Sequence, residues 1–263
     1  MNLKEVEVQY QYTRVMIDKL IEKKLNANPD HLRNYLLFLY GPVSSYLESI
    51  IILLKHKKFN AAKLILRSLV EAHIKATYYQ VYETEKSLAT AAKECSFQKL
   101  KTVKEFGELL AKHPSLQVSD DSSMYNPKKL DEMRTRAQRE IDEVVRLNDI
   151  ETDEKEPDLK VLAMKCDSAK VDQAPDGHFL EMYTLIYRYL SPVAHLNILG
   201  LQHFFQENPN GHTVYKEDDE TSQTIAYALG IWVALVKDLF ENKVILASVP
   251  ADLLSLEESI KKV

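Results

Sequence analysis

The segment Tyr187-Arg-Tyr-Leu-Ser-Pro-Val-Ala-His-Leu-Asn197 sets an arginine, a serine and a histidine between two apolar runs, FLEMYTLI and ILGLQHFF. A histidine titrates near neutral pH and can take or give a proton, and a guanidinium forks onto phosphate oxygens. Arg188, Ser191 and His195 could therefore be catalytic, could bind something, or could be buried groups that hydrogen-bond each other. On a helix drawn over 177–206, Thr184, Arg188, Ser191, His195, Gln202 and Gln206 share one sector about 80° wide. Most of the remaining surface of that helix is apolar, which predicts burial. Its polar ribbon must then face a cleft, a partner chain or complementary groups in the bundle, because each unpaired buried polar group costs roughly 1–3 kcal/mol. Ser191-Pro192 also reads as an N-cap and a first-turn proline, in which case the helix breaks there and Ser191 is simply the cap.

A second pair, Arg67 and Glu71, stands one turn apart in LRSLVEAHIKATYY, with Lys63, Asn60, Ile74 and Tyr78 in the same sector. The plain reading is a solvated face with an i,i+4 ion pair worth about 0.3–0.5 kcal/mol. Other chemistries find little material. There is no Walker A loop, G-x-G-x-x-G or G-x-S-x-G, and no Glu-x-x-His pair for a bundle di-metal site. No metal and no cofactor is expected. Cys95 and Cys166 are far apart and outside any CxxC, which suits a reducing cytosol.

The elements that must position these groups are helical. Glycine is scarce, at 6 of 263 residues, and Leu, Lys, Glu and Ala dominate. The patterning predicts helices over 2–27, 30–57 with a bend near Pro42, 60–82, 84–112, 127–148, 157–166, 177–206 and 221–247, then a short one after Pro250. No stretch alternates as a strand should. The acidic run DIETDEKEPD at 149–158 reads as exposed linker. The chain is thus expected to be an all-α multi-helix bundle in a single domain. Its core spans about 30–98 and 157–247, and a charged helical hairpin is inserted at about 99–150. Trp232 and Tyr227 read as core or dimer-interface residues, and His203 and His212 as core or loop residues. The mixed-sign helix 127–148 reads as a solvated face.

A net charge of −5 argues against nucleic-acid binding driven by charge alone, though a local basic groove stays open. Residues 34–54 hold a single charge, Glu48, over nearly the length of a bilayer span. Gly41-Pro42, Ser44, Ser45 and Glu48 interrupt them, so a buried core helix is expected rather than a membrane helix. The N-terminal MNLKEVEVQYQYTR has charges and no apolar stretch, so no secretory leader is expected. The expected setting is the cytoplasm.

The order R-x3-E (Arg67, Glu71) then Y-x3-S-x3-H (Tyr187, Ser191, His195) resembles a family of uncharacterised bacterial helical proteins over roughly residues 35–205. It departs at Pro192, where that family more often carries a polar residue. The resemblance implies that Arg67, Glu71, Tyr187, Ser191 and His195 meet in one bundle pocket. A more distant likeness is to the HEPN superfamily, whose hallmark is Arg, four to six residues, then His. Arg188 and His195 match it, and so do Arg67 and His73, which shows how loose the spacing is. Tyr189 stands where HEPN ribonucleases usually carry a polar residue. That likeness implies a homodimer cleaving or binding RNA, with His195 as acid or base and Arg188 on the phosphate. Glu71, Arg67, Tyr187 and Ser191 would form the orienting shell. The alternative is a non-catalytic helical module in which the same residues form a buried polar network or a ligand- or protein-binding site.

Overall fold

The computed structural model describes residues 3–28, 30–82, 84–121, 123–169, 176–194, 205–207, 213–215 and 221–260. In chain order the helices are α1 (Leu3–Lys24), α2 (His31–Lys55), α3 (Phe59–Val81), α4 (Thr84–Lys112), α5 (Pro127–Asn148), α6 (Leu159–Ser168) and α7 (His178–Met182). A π-helical turn, Tyr183–Arg188, joins α7 to α8 (Tyr189–Ala194), and α9 (Thr221–Glu241) and α10 (Ala251–Ile260) follow. The class is all-α. The described residues add one small hairpin, β1 (Phe205–Glu207) with β2 (Thr213–Tyr215), antiparallel with Gln206 opposite Val214. The chain forms two compact units, one of Met1–Val81 with Asp158–Val263 and one of Tyr82–Pro157.

The local sequence explains most boundaries. The Asp30 side chain accepts from the Arg33 amide at 2.8 Å and starts α2. Asn126 accepts from Lys128 N at 2.9 Å, and Pro127 occupies the first turn of α5, where its missing N–H costs nothing. Asp158 starts α6 in the same way, through Val161 N. α2 continues through Pro42.

In the first unit α9 packs against α2, α3 and α10. Its Trp232 is fully buried, donates to Ser44 Oγ at 2.9 Å and meets the edge of Tyr10 at 5.0 Å. Tyr10 donates to the Ser44 carbonyl at 3.0 Å, so one small residue of α2 joins three helices. α2 and α9 are both long and apolar enough to cross a bilayer, with 39% and 61% of the apolar window buried. Core helices of a bundle meet the same criteria of length and composition.

Two expectations are corrected. The helix foreseen over 177–206 is not continuous: it widens into the π-turn, and Phe205 and Gln206 lie in β1. The turn-forming sequence Asn208-Pro209-Asn210-Gly211 separates the two strands, and residues facing a hairpin partner do not follow a helical wheel. The acidic run 149–158 is also more than exposed linker, since Ile150 is buried. The fully buried Lys93 of α4 donates to the carbonyls of Glu151 at 2.7 Å and Thr152 at 3.1 Å, and to that of Glu154. An ammonium has three protons, and this loop supplies three acceptors. The α4–α5 hairpin otherwise holds together through Leu100, Ala137 and Ile141 at one level and Val103, Leu110 and Leu130 at another. Lys93→Met should destabilise this unit by about 1–3 kcal/mol. It should also speed amide exchange selectively in residues 149–157, and equal exchange in both proteins would refute the clasp.

Further along α9, Gln80 donates to the Asp238 carboxylate at 2.9 Å, and Asn242 donates to Gln80 Oε1 at 2.8 Å. Burial pushes the Asp238 carboxyl up to about 7 against the Gln80 hydrogen bond, and Glu241 adds to the rise. An acid whose pKa is raised by folding binds its proton more tightly in the native state. Stability therefore falls as pH rises from the unfolded value towards 7. Thermal melts from about pH 5 to about pH 8 should show wild type losing stability relative to Asp238→Asn, by about 2–4 °C for each kcal/mol.

Candidate functional site

The site begins on α3. Arg67 and Glu71 lie half-buried on one face, as their spacing requires, but they do not make the expected ion pair. Glu71 pairs with Lys75 at 3.4 Å, one turn further on. The Arg67 guanidinium instead lies over the ring of Tyr187, 4.2 Å from its centroid, and its Nε is buried with no hydrogen-bond partner. The aromatic face supplies the negative potential that a carboxylate would otherwise provide. Tyr183 stacks on Tyr187 with centroids 5.6 Å apart and ring planes 21° apart. Burial raises the Tyr187 pKa above the usual phenol value; the Glu71 charge adds to the rise, and Arg67 and Lys75 oppose it. The phenol thus stays protonated, a donor or acceptor but not a phenolate.

Tyr183–Arg188 are wound as a π-turn, yet the buried positions 179, 182, 186 and 190 keep helical spacing, with 187 at the edge of that stripe and 188 opposite it. Tyr187 turns in to α3. Arg188 turns out: it is exposed and has no ion pair among the described residues. Glu181, Thr184, Leu185 and Tyr189 share the outward side, and Leu185 and Tyr189 are 57% and 55% exposed. The expected all-round burial of this helix is therefore corrected; Phe179, Met182, Ile186 and Leu190 are its buried side. The wide turn ends at Arg188, four residues before Pro192. A proline has no N–H to donate to that carbonyl.

The structure thus divides the residues singled out by sequence. Arg67, Glu71 and Tyr187 form an inner cluster, while Arg188 stands outside it. Ser191 is half-buried in α8. His195 lies outside the described residues, as do His203 and His212. Lys75 and Tyr183 were missed, although each sits four residues from a named partner (Glu71 and Tyr187) and helical spacing alone would have found them. Among the described residues no three His, Cys, Asp or Glu side chains gather where they could hold a metal ion.

A double-mutant cycle on Arg67→Met and Tyr187→Leu should give a coupling of about 0.5–2 kcal/mol in urea melts. A coupling of zero would mean that the guanidinium and the ring do not stabilise one another.

Residues 33–213 match the model of a family described as a family of unknown function, DUF5677. No curated protein and no solved structure matches the chain.

Proposed function

The chain belongs to the DUF5677 family, and from that premise we propose that it is a HEPN-like, metal-independent ribonuclease acting in the cytoplasm as a homodimer. The observation that carries the proposal is that Tyr187 packs inward on Arg67 while its neighbour Arg188 is exposed beside Leu185 and Tyr189, with no ion pair among the described residues. An exposed guanidinium suits a phosphate clamp that substrate can reach, and two exposed side chains next to it suit a two-fold contact with a second copy.

In this reaction the His195 imidazole takes the proton of a ribose 2′-hydroxyl. The 2′-oxygen attacks phosphorus, the bond to the 5′-oxygen breaks, and a protonated imidazole returns a proton to that leaving oxygen. Arg188 stabilises the charge that builds on the phosphoryl oxygens. Tyr187, Arg67 and Glu71 are positioning residues, with Ser191 on the turn that follows Arg188. The products are a 2′,3′-cyclic phosphate and a 5′-hydroxyl, with atoms and protons balanced and no external reactant.

A second reading has its own support. Glu71 is paired by Lys75, and Arg67 by the Tyr187 ring, so the inner cluster can serve as a polar network fixing the bundle of a non-catalytic binding module.

Total RNA incubated with the purified chain in EDTA separates the two. Wild type should leave cyclic-phosphate ends, while folded Arg188→Ala and His195→Ala should be slower by about 100-fold or more. Cleavage that is absent, or equal in all three proteins, removes the ribonuclease; RNA retained without cleavage leaves the binding module.

A further inference from the structure

A cleft of about 660 Å³ lies in the first unit between α3, α7, α9 and α10, on residues that the ribonuclease reading does not use. That volume lies within the range of small-molecule sites. Its floor is one face of α9, where Ala226, Gly230 and Ala234 recur at i, i+4 and i+8 and so run about 12 Å along the helix. Other faces of α9 carry large apolar side chains, Trp232 and Leu239 among them, so this face alone is stripped of bulk. Independently, a Cβ built on Gly230 meets nothing within 4 Å, so the space above the floor is open at its centre. Met182, Ile231 and Ile260 line it with apolar surface.

Its polar lining is one-sided in chemistry. His73 of α3 and His178 of α7 both reach the cleft, and Phe179 packs beside both imidazoles at 5.3 Å. Ser222, Gln223 and Tyr227 add neutral hydrogen-bonding groups, and none of the described lining residues is acidic. Burial, with the nearby His178, lowers the His73 pKa to about 4, so near neutral pH this imidazole is uncharged and offers an N–H donor. A long, largely apolar space whose described lining offers two imidazoles as hydrogen-bond donors complements a molecule of the opposite make: an apolar body bearing one anionic, hydrogen-bond-accepting group.

We infer that this cleft binds an amphipathic monocarboxylate, whose aliphatic or aromatic body lies along Ala226, Gly230 and Ala234 and whose carboxylate meets His73 and His178.

Octanoate and 1-octanol, titrated calorimetrically into the full chain, provide the test. Octanoate should bind saturably at one site and about tenfold more tightly than the alcohol, a difference of about 1.4 kcal/mol. Gly230→Leu fills open space on a helix, so the free variant should melt no lower than wild type yet lose octanoate binding by at least about tenfold. If that variant does not fold, Ala234→Met is read in its place. His73→Gln with His178→Gln should reduce octanoate affinity to that of octanol and leave octanol unchanged. No saturable octanoate binding overturns the site. Binding unaffected by the filled floor overturns its location, and equal affinity for acid and alcohol overturns the role of the imidazoles. RNA cleavage by Gly230→Leu should match wild type, so failure here and failure of the ribonuclease are read separately.

Discussion

A guanidinium whose Nε is buried must find negative potential inside the protein, and in this chain the ring of Tyr187 provides it for Arg67. The first unit follows from that contact. Arg67 is fixed by α3, whose Ala62, Leu66, Leu69 and Val70 are buried in the bundle, so the tyrosine has to come to the arginine. In this segment Tyr187 meets Arg67, Ile186 and Leu190 stay in the core, and Arg188 is left outside. The aromatic–cation contact and the stacking of Tyr183 on Tyr187 hold the inward side.

The second unit solves a related problem differently. Lys93 is as buried as any leucine in the protein, and its ammonium is satisfied by backbone carbonyls rather than by a carboxylate. The acidic side chains of the same loop are left for longer-range roles, as when Glu154 reaches Lys86 at 3.3 Å. Carbonyl oxygens are fixed by the path of the chain, whereas carboxylates on long side chains must be immobilised first, at an entropic cost. The loop conformation and the lysine therefore specify one another, and a stretch of uniform polarity gains a defined path.

What could be read in the sequence was whatever a single residue type enforces locally. Asn126-Pro127 and Asp149 bound α5 because one caps, one has a preset φ and one tolerates the left-handed region at φ 50°. α4 was legible to the residue because Pro114 follows it closely and its apolar positions repeat at helical spacing. The π-turn had no such marker. Tyr-Thr-Leu-Ile-Tyr-Arg contains no glycine or proline, and the partner of its Tyr187 stands more than a hundred residues away. The Arg67–Glu71 pairing was misread for the same reason: helical spacing gives both Lys75 and Arg67 as neighbours of Glu71, and only the arrival of Tyr187 decides between them. Lys93 shows the limit most plainly, since a lysine among polar residues looks solvated until a loop 58 residues away closes over it.

These choices leave the segment 178–194 in three environments within five turns. His178 faces an apolar cleft, Tyr187 faces a buried cation, and Arg188 faces solvent. Phe179, Met182, Ile186 and Leu190 recur at i, i+3, i+7 and i+11, one stripe at helical spacing; on that wheel residue 188 falls opposite the stripe and residue 187 at its edge, which is where they are found. The His178 end of the segment is α-wound, and Arg188 closes the π-turn. The contact most able to link them is the Tyr183–Tyr187 stack, which spans the change of winding itself.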